Sequence, residues 1–157
     1  MRLPDDPKRL APVLWTLLVL FILRVLGQAL VAFFHVSFLP PMQEWYSGLL
    51  AYQYLLPSQI VIIILFMRVC LDFSRGQGFF VRPYRAFGRG VLWFGYLYFA
   101  AMIVRYLVRM ALYPEARWFG GTIPIIFHFV LATYVILFGL YHRSHNIART
   151  GGSAGAT

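Results

Sequence analysis

The sequence predicts an all-α, polytopic membrane protein: a four-transmembrane-helix bundle whose N- and C-termini both lie on the cytoplasmic side. Three observations support this prediction: a composition dominated by apolar residues, four long apolar segments, and an uneven distribution of arginine and lysine between them. Of the 157 residues, 61% are hydrophobic and only 12% are charged, and the mean hydropathy is +0.71. Because a soluble domain carries about 25% charged residues, a chain with so little polar surface is expected to face lipid.

Each of four apolar segments approaches the length of about 20 residues that a helix needs to cross the hydrocarbon core of a membrane. They are residues 11–34, 49–71, 91–112 and 123–141. None of them alternates between polar and apolar residues, so a β-barrel is disfavoured, and a helix satisfies its own backbone hydrogen bonds inside lipid. We therefore expect one four-helix membrane domain over residues 1–143, followed by a flexible cytoplasmic tail over residues 144–157.

The basic residues orient the predicted helices. The connection at 35–48 contains no arginine or lysine, whereas the connection at 72–90 contains four arginines: Arg75, Arg82, Arg85 and Arg89. Cytoplasmic loops carry the excess of positive charge in membrane proteins, so the second connection is expected in the cytoplasm together with both termini. The same distribution accounts for the net charge of +9, and no nucleic-acid partner is expected.

The tryptophans agree with this topology. Trp15 and Trp93 fall at the inner ends of the first and third predicted helices, and Trp45 and Trp118 fall at the outer ends of the second and fourth. The amphipathic indole ring prefers the level of the lipid headgroups. All four tryptophans are therefore expected at a membrane interface.

The predicted cytoplasmic loop interleaves arginines with aromatic residues between positions 73 and 89. One interpretation is an interfacial segment whose four arginines contact lipid headgroups, at about 1 kcal/mol for each basic residue; the alternative is a docking surface for a cytoplasmic protein. The R-G-x-x-F-x-x-R pattern of residues 75–82 resembles one found in uncharacterised bacterial four-helix membrane proteins. This resemblance implies a four-helix fold in a bacterial inner membrane, and it implies no activity.

Polar side chains inside a predicted span are candidate functional residues, because burying them in lipid is costly. Arg24 lies near the middle of the first span, where an arginine costs roughly 3 kcal/mol on the insertion scale. Counting the helical rise along each span places the remaining polar residues in the outer half of the membrane. We therefore expect one outward-facing, net-positive pocket that binds an anionic group such as a lipid phosphate, a carboxylate or a quinone oxygen. Its predicted members are Arg24, Gln28, Gln59, Arg105 and His128.

A structural role for these residues is the alternative, in which Arg105 pairs with Glu44 or Glu115 and His128 bonds to a neighbouring helix. No carboxylate lies within a predicted span, so no catalytic residue is expected. The single cysteine, Cys70, rules out a cysteine-based metal cluster. Haem b is disfavoured, because His128 is the only histidine well inside a span and bis-histidine ligation needs two at the same depth.

The predicted function is that of a non-enzymatic accessory, assembly or lipid-binding protein of the inner membrane, with membrane lipids as partners. The alternative is a small membrane subunit of a transport or redox complex that uses haem or quinone, with other membrane subunits or further copies of the chain as partners. Small residues on the third and fourth predicted helices allow close helix packing, within one chain or between chains. They are Gly95, Ala100, Ala101, Ala132 and Gly139.

Overall fold

The computed structural model describes residues 6–34, 36–45, 52–112 and 122–151. These residues form four long helices, one short helix and no strand: α1 (Pro7–Phe34), α2 (Met42–Trp45), α3 (Tyr52–Arg75), α4 (Arg85–Leu112) and α5 (Thr122–Gly151). Each long helix contains a stretch that is long and apolar enough to cross a membrane. The predicted all-α class with four apolar helices is therefore confirmed for the described residues. Glu115, Trp118 and residues 152–157 lie outside them, so the predictions made for these positions stay predictions.

The long helices extend beyond the apolar segments that predict them. α1 begins at Pro7 rather than at residue 11 because Asp6 caps it: the Lys8 backbone N–H donates a 2.9 Å hydrogen bond to Asp6 Oδ1. α5 continues to Gly151, through the first residues of the predicted tail, since no proline or glycine interrupts the chain after Gly139. Hydropathy marks the apolar part of a helix, whereas capping groups and helix breakers mark its ends.

The long helices form a curved row in the order α3, α1, α5, α4. α1 packs against α3 on one side and α5 on the other, and α4 packs against α5. In the described residues the backbones of α3 and α4 do not meet. The hydrophobic core lies between α1, α3 and α5 and includes the fully buried Leu14, Leu18 and Phe73. A gap is thus left between the two outer helices of the row.

Tyr134 links α5 to α3 across the core. Its ring stacks on Phe66, with the ring centroids 3.8 Å apart. Its hydroxyl donates a 2.9 Å hydrogen bond to the Phe66 backbone oxygen and lies 3.3 Å from Cys70 Sγ. The large aromatic side chain therefore connects the two helices and at the same time keeps their backbones apart.

Glycines bring α4 and α5 into close contact. A Cβ atom on Gly139 would lie 2.9 Å from the Leu92 backbone nitrogen, and one on Gly95 would lie 2.8 Å from Ile136 Cγ1. Small residues permit this approach between membrane helices. Gly88 joins the same contact because α4 begins at Arg85, before the predicted start of the third helix. The predicted close packing of Gly95 and Gly139 is therefore found within a single chain.

We expect Gly139→Ala to destabilise the protein and Gly90→Ala to stabilise it. A methyl group at position 139 would overlap the Leu92 backbone, and overpacking of this kind costs about 1–3 kcal/mol. A Cβ atom on Gly90 would have nothing within 4 Å, so alanine there should gain roughly 0.5–1 kcal/mol of helix stability. Thermal unfolding in detergent, followed by circular dichroism, measures both effects. Equal Tm values for the two variants would contradict the close packing of α4 on α5.

Candidate functional site

Arg24 is buried on α1, with 7% of its surface exposed. Its Nη1 donates a 2.5 Å hydrogen bond to Gln28 Oε1, and its Nη2 donates a 3.0 Å hydrogen bond to the Trp45 backbone oxygen. The Trp45 indole donates to the Pro40 backbone oxygen at 2.9 Å and fills the space beside Gly27, where a Cβ atom would lie 2.6 Å from Trp45 Cη2. A side-chain amide and a backbone carbonyl thus take the place of water around the guanidinium.

Gln28 and Gln59 connect α1 to α3 beside Arg24. Gln59 Nε2 donates a 3.3 Å hydrogen bond to Gln28 Oε1, the oxygen that also accepts from Arg24. Both glutamines are buried, with exposed fractions of 0% and 5%. Nevertheless, Gln28 Nε2 and Gln59 Oε1 have no hydrogen-bond partner in the described part of the chain. A buried polar group without a partner costs about 1–3 kcal/mol. A hydrogen bond from another molecule to either atom would recover this free energy.

A cavity of about 140 Å³ opens next to this cluster. Arg24 lines it from α1, Gln59 from α3, Tyr98 from α4 and His128 from α5, so that all four long helices contribute. The Tyr98 hydroxyl lies 3.0 Å from His128 Nδ1, and this hydrogen bond holds the imidazole at the wall. At about 30 Å³ for each water molecule, the cavity has room for about four waters or for one small oxyacid group. We call this space the polar cavity.

The polar cavity is positively charged. Asp6 and Asp72 are the two carboxylates among the described side chains, and both lie towards the end of the bundle where α1 begins and α3 ends. Asp6 precedes Arg24 by about 27 Å of helix, so no carboxylate among the described side chains pairs with Arg24. Arg105 supplies a second positive charge, close enough to act on both Tyr98 and His128. Since a buried charge without a counter-charge is unfavourable, the polar cavity favours an anion.

The structure brings together most of the polar residues that the sequence pattern groups into one pocket. Arg24, Gln59 and His128 lie on the wall of the polar cavity. Gln28 lies behind the wall and is hydrogen-bonded to both Arg24 and Gln59. Arg105 is half-buried and does not line the cavity. The predicted set thus forms an inner group of four with one outlying arginine.

Two groups at the polar cavity are not predicted from the sequence. The Trp45 carbonyl accepts from Arg24, and no sequence pattern indicates that α2 folds back against α1. Tyr98 bonds to His128, and here a signal exists, because Tyr98 and Arg105 are seven residues apart and share one face of α4. Ser58 also lines the cavity, but its hydroxyl donates to the Leu55 backbone oxygen at 2.7 Å.

Asp72 organises the arginine-rich loop, residues 75–85, at the other end of the bundle; the loop contains Arg75, Arg82 and Arg85. It is 4% exposed and accepts the Phe80 backbone N–H at 3.2 Å. Gly78 has a φ of 133° and passes directly against the carboxylate, where a Cβ atom would collide with it. The hydropathy pattern ends the second span at residue 71 and so leaves Asp72 out of the helix. The arginines predicted to contact lipid headgroups are all exposed: Arg75, Arg82, Arg85 and Arg89.

No protein-family model, curated protein or solved structure matches this chain. The resemblance of residues 75–82 to bacterial four-helix membrane proteins therefore stays a prediction. The chain is defined by its own architecture, four long apolar helices around a buried, positively charged cavity. In the described ranges, no three histidine, cysteine or acidic side chains come close enough to hold a metal ion. His128 and His142 are about 21 Å apart along α5, which is too far for both to bind one haem.

Proposed function

We propose that this chain is an integral protein of a bacterial inner membrane, with both termini in the cytoplasm, and that it acts as a non-enzymatic accessory or assembly protein by binding a membrane lipid. The anionic head of the lipid would lie in the polar cavity. One observation carries the proposal: Arg24 is buried and hydrogen-bonded, but it has no carboxylate partner among the described side chains.

Membrane insertion is supported by the surface of the long helices. Large apolar side chains face outwards on three of them, for example Leu23 on α1, Ile64 on α3 and Leu97 on α4, each more than half exposed. A contiguous apolar surface of this kind marks contact with a membrane or another protein. The exposed arginines of the loop after α3 support a cytoplasmic location for that loop.

An anionic ligand is supported by the energetics of the buried guanidinium. An arginine at the centre of a span costs roughly 3 kcal/mol, and its two neutral hydrogen-bond acceptors offset part of that cost. A phosphate or carboxylate oxygen in the polar cavity would add a charge-assisted hydrogen bond worth about 1.5–3 kcal/mol. Gln28 lies behind the cavity wall and accepts from the same guanidinium, so it holds Arg24 in place for the anion. Binding of an anion therefore completes the cluster.

A non-enzymatic role is supported by the chemistry of the cavity wall. Its described lining includes one imidazole, that of His128, and no carboxylate. General acid–base catalysis commonly uses two such groups with different roles. The Ser58 hydroxyl is bonded to the Leu55 backbone oxygen rather than to His128.

A subunit of a transport or redox complex is the second candidate function. The hydrogen-bonded Tyr98–His128 pair favours it, because both side chains can bond to a quinone oxygen. Native mass spectrometry of the detergent-extracted protein tests both candidates, since it reports bound lipid, quinone, haem and stoichiometry together. Lipid that is retained by the wild type and lost from Arg24→Leu supports the first. Bound quinone, or a Soret band that disappears in His128→Ala, supports the second.

We expect the arginine-rich loop to be labelled only from the cytoplasmic side. Cys70, the single cysteine of the chain, is fully buried, so the wild type should react little with a membrane-impermeant maleimide. Arg82→Cys should react in inverted vesicles and not in spheroplasts. Ser37→Cys, in the exposed segment between α1 and α2, should react in spheroplasts. Labelling of Arg82→Cys in spheroplasts would overturn the proposed topology.

A further inference from the structure

The polar cavity joins an apolar groove between α3 and α4. The groove has a volume of about 460 Å³ and is walled by side chains of α3, α4 and α5. It shares Ile62, Tyr98 and Leu131 with the polar cavity, so that the two spaces are adjacent and separated by no more than these side chains. Because the backbones of α3 and α4 do not meet in the described ranges, the groove is open sideways, towards the position of lipid in a membrane.

The length of the groove matches that of one lipid chain. Its lining on α4 runs from Phe87 to Tyr98, which is about 16 Å of helix. One leaflet of the hydrocarbon core is about 15 Å deep, half of the total thickness. The cavity and the groove together are therefore polar at one end and apolar along about 16 Å, which fits a lipid whose head lies beside Arg24 and whose chain points towards the end of the bundle where α4 begins.

The hydrogen bonds of the glutamines determine which head would fit. Gln28 must present its oxygen to Arg24, because a guanidinium only donates. Gln59 must then present its nitrogen to the same oxygen. One amide donor on Gln28 and one amide acceptor on Gln59 are left without a partner in the described part of the chain. Gln28 lies behind the cavity wall, whereas Gln59 lines it. A complementary head therefore has acceptor oxygens for Arg24 and a hydroxyl donor for Gln59.

A phosphate monoester meets these requirements better than other lipid heads. An ionised carboxylate accepts hydrogen bonds but does not donate them, and a phosphodiester has no hydroxyl on phosphorus. A monoester carries a charge of about −1.5 to −2 at pH 7 and is therefore protonated in part. Its P–OH group can donate to Gln59 while its other oxygens accept. In the form that carries the P–OH group, its single negative charge balances the positive charge of Arg24.

We propose that the chain binds a lipid phosphate monoester, with the phosphate in the polar cavity and one apolar chain of the lipid in the groove between α3 and α4. This inference rests on the proposed function, because it names the class of lipid that the polar cavity takes. It adds two claims to that function, the identity of the head and the path of the chain.

The identity of the head is tested with three probes that carry the same saturated chain: hexadecyl phosphate, palmitate and hexadecylphosphocholine. Each is titrated into the delipidated full chain in detergent, and binding is measured by native mass spectrometry. We expect hexadecyl phosphate to bind at least about tenfold more tightly than the other two. Equal affinities would overturn the assignment of a monoester. The proposed function would still stand if Arg24→Leu weakened the binding of all three probes.

The path of the chain is tested by filling the groove. Leu65 lines the groove on α3 and is 48% exposed, so a larger side chain there should not disturb the core. We expect Leu65→Trp to weaken hexadecyl phosphate binding by about tenfold. Ile64→Trp, at the neighbouring position that is 62% exposed and outside the groove, should bind as the wild type does. Val91→Phe, on the facing wall, repeats the test if Leu65→Trp does not fold. Wild-type affinity in the folded groove variants would show that the chain lies elsewhere.

The opposite orientation of the lipid gives a different result. At its other end the groove shares Phe80 and Phe87 with a second cavity, which Arg82 lines. A lipid with its head at this end would depend on Arg82 rather than on Arg24. Loss of hexadecyl phosphate binding in Arg82→Leu, together with wild-type binding in Arg24→Leu, would overturn both this inference and the proposed function.

Discussion

Arg24→Leu is expected to remove the bound lipid while leaving the protein folded. The substitution deletes a charge-assisted hydrogen bond to the lipid head, worth about 1.5–3 kcal/mol, which corresponds to a loss of affinity of roughly tenfold to a hundredfold. The substitution also removes the main positive charge that attracts an anion to the polar cavity. Native mass spectrometry of wild type and variant, extracted from the same membranes, measures the lipid retained by each.

The same substitution has opposing effects on stability. It leaves the Trp45 carbonyl without its donor, at a cost of about 1–3 kcal/mol. It also relieves the roughly 3 kcal/mol that an arginine costs at the centre of a span. Because these effects nearly cancel, the Tm of the lipid-free protein is expected to change by no more than about 2–4 °C.

Two further variants separate binding from structure. Arg68→Leu removes an exposed arginine from α3, so it controls for the change in net charge and should retain lipid. Arg24→Lys keeps a positive charge in the polar cavity but loses the forked geometry of the guanidinium, and it should retain part of the lipid. If Arg24 were purely structural, Arg24→Leu would show a large fall in Tm with an unchanged lipid content.

Gly78→Ala is expected to displace the arginine-rich loop. Gly78 has a φ of 133°, which side chains other than glycine rarely adopt, and the added Cβ atom would collide with the Asp72 carboxylate. Asp72 cannot move away without losing the bond from the Phe80 N–H. Strain and lost bonding together should cost about 2–4 kcal/mol. Thermal unfolding measures this cost, and trypsin cleavage after Arg75 and Arg85, at the two ends of the loop, should become faster.

Gln77→Ala is the matched control for this experiment. Gln77 precedes Gly78 and is exposed, and its bond to Asp72 comes from its backbone N–H and so survives the substitution. We expect the control to unfold and to be cleaved as the wild type is. Identical behaviour of Gly78→Ala and Gln77→Ala would show that the contact with Asp72 does not hold the loop.

The four long helices can be predicted from hydropathy because about 20 consecutive apolar residues outweigh every local preference. Their ends cannot be predicted in this way, because each end depends on a few hydrogen bonds. The cap that Asp6 provides for α1 and the early start of α4 at Arg85 are examples. The gap between α3 and α4 is also invisible to hydropathy, because it depends on which helices are neighbours in the bundle.

The polar cavity can be predicted in part, because helical rise gives the depth of each residue in a membrane. Arg24 and Gln28 are one turn apart on α1, and Gln59 and His128 reach the same level from other helices. The level expected for Arg105 is wrong, because Tyr98 on the same face of α4 is the residue that reaches His128. Arg105 lies seven residues further along the helix, about 10 Å away, and so lies off the cavity wall. Trp45 is another limit, since it is expected at an interface but is buried against α1 after α2 turns back.

The hydrogen bonds of Arg24 have a consequence for biogenesis. Its acceptors are Gln28 and the Trp45 carbonyl, and the partner of Gln28 is Gln59, so the whole network is encoded before residue 60. A nascent chain can therefore satisfy this guanidinium with its first hairpin, α1 and α3, before α4 and α5 have entered the membrane. The segment with the most unfavourable charge does not depend on later helices for its release from the insertion machinery into the bilayer.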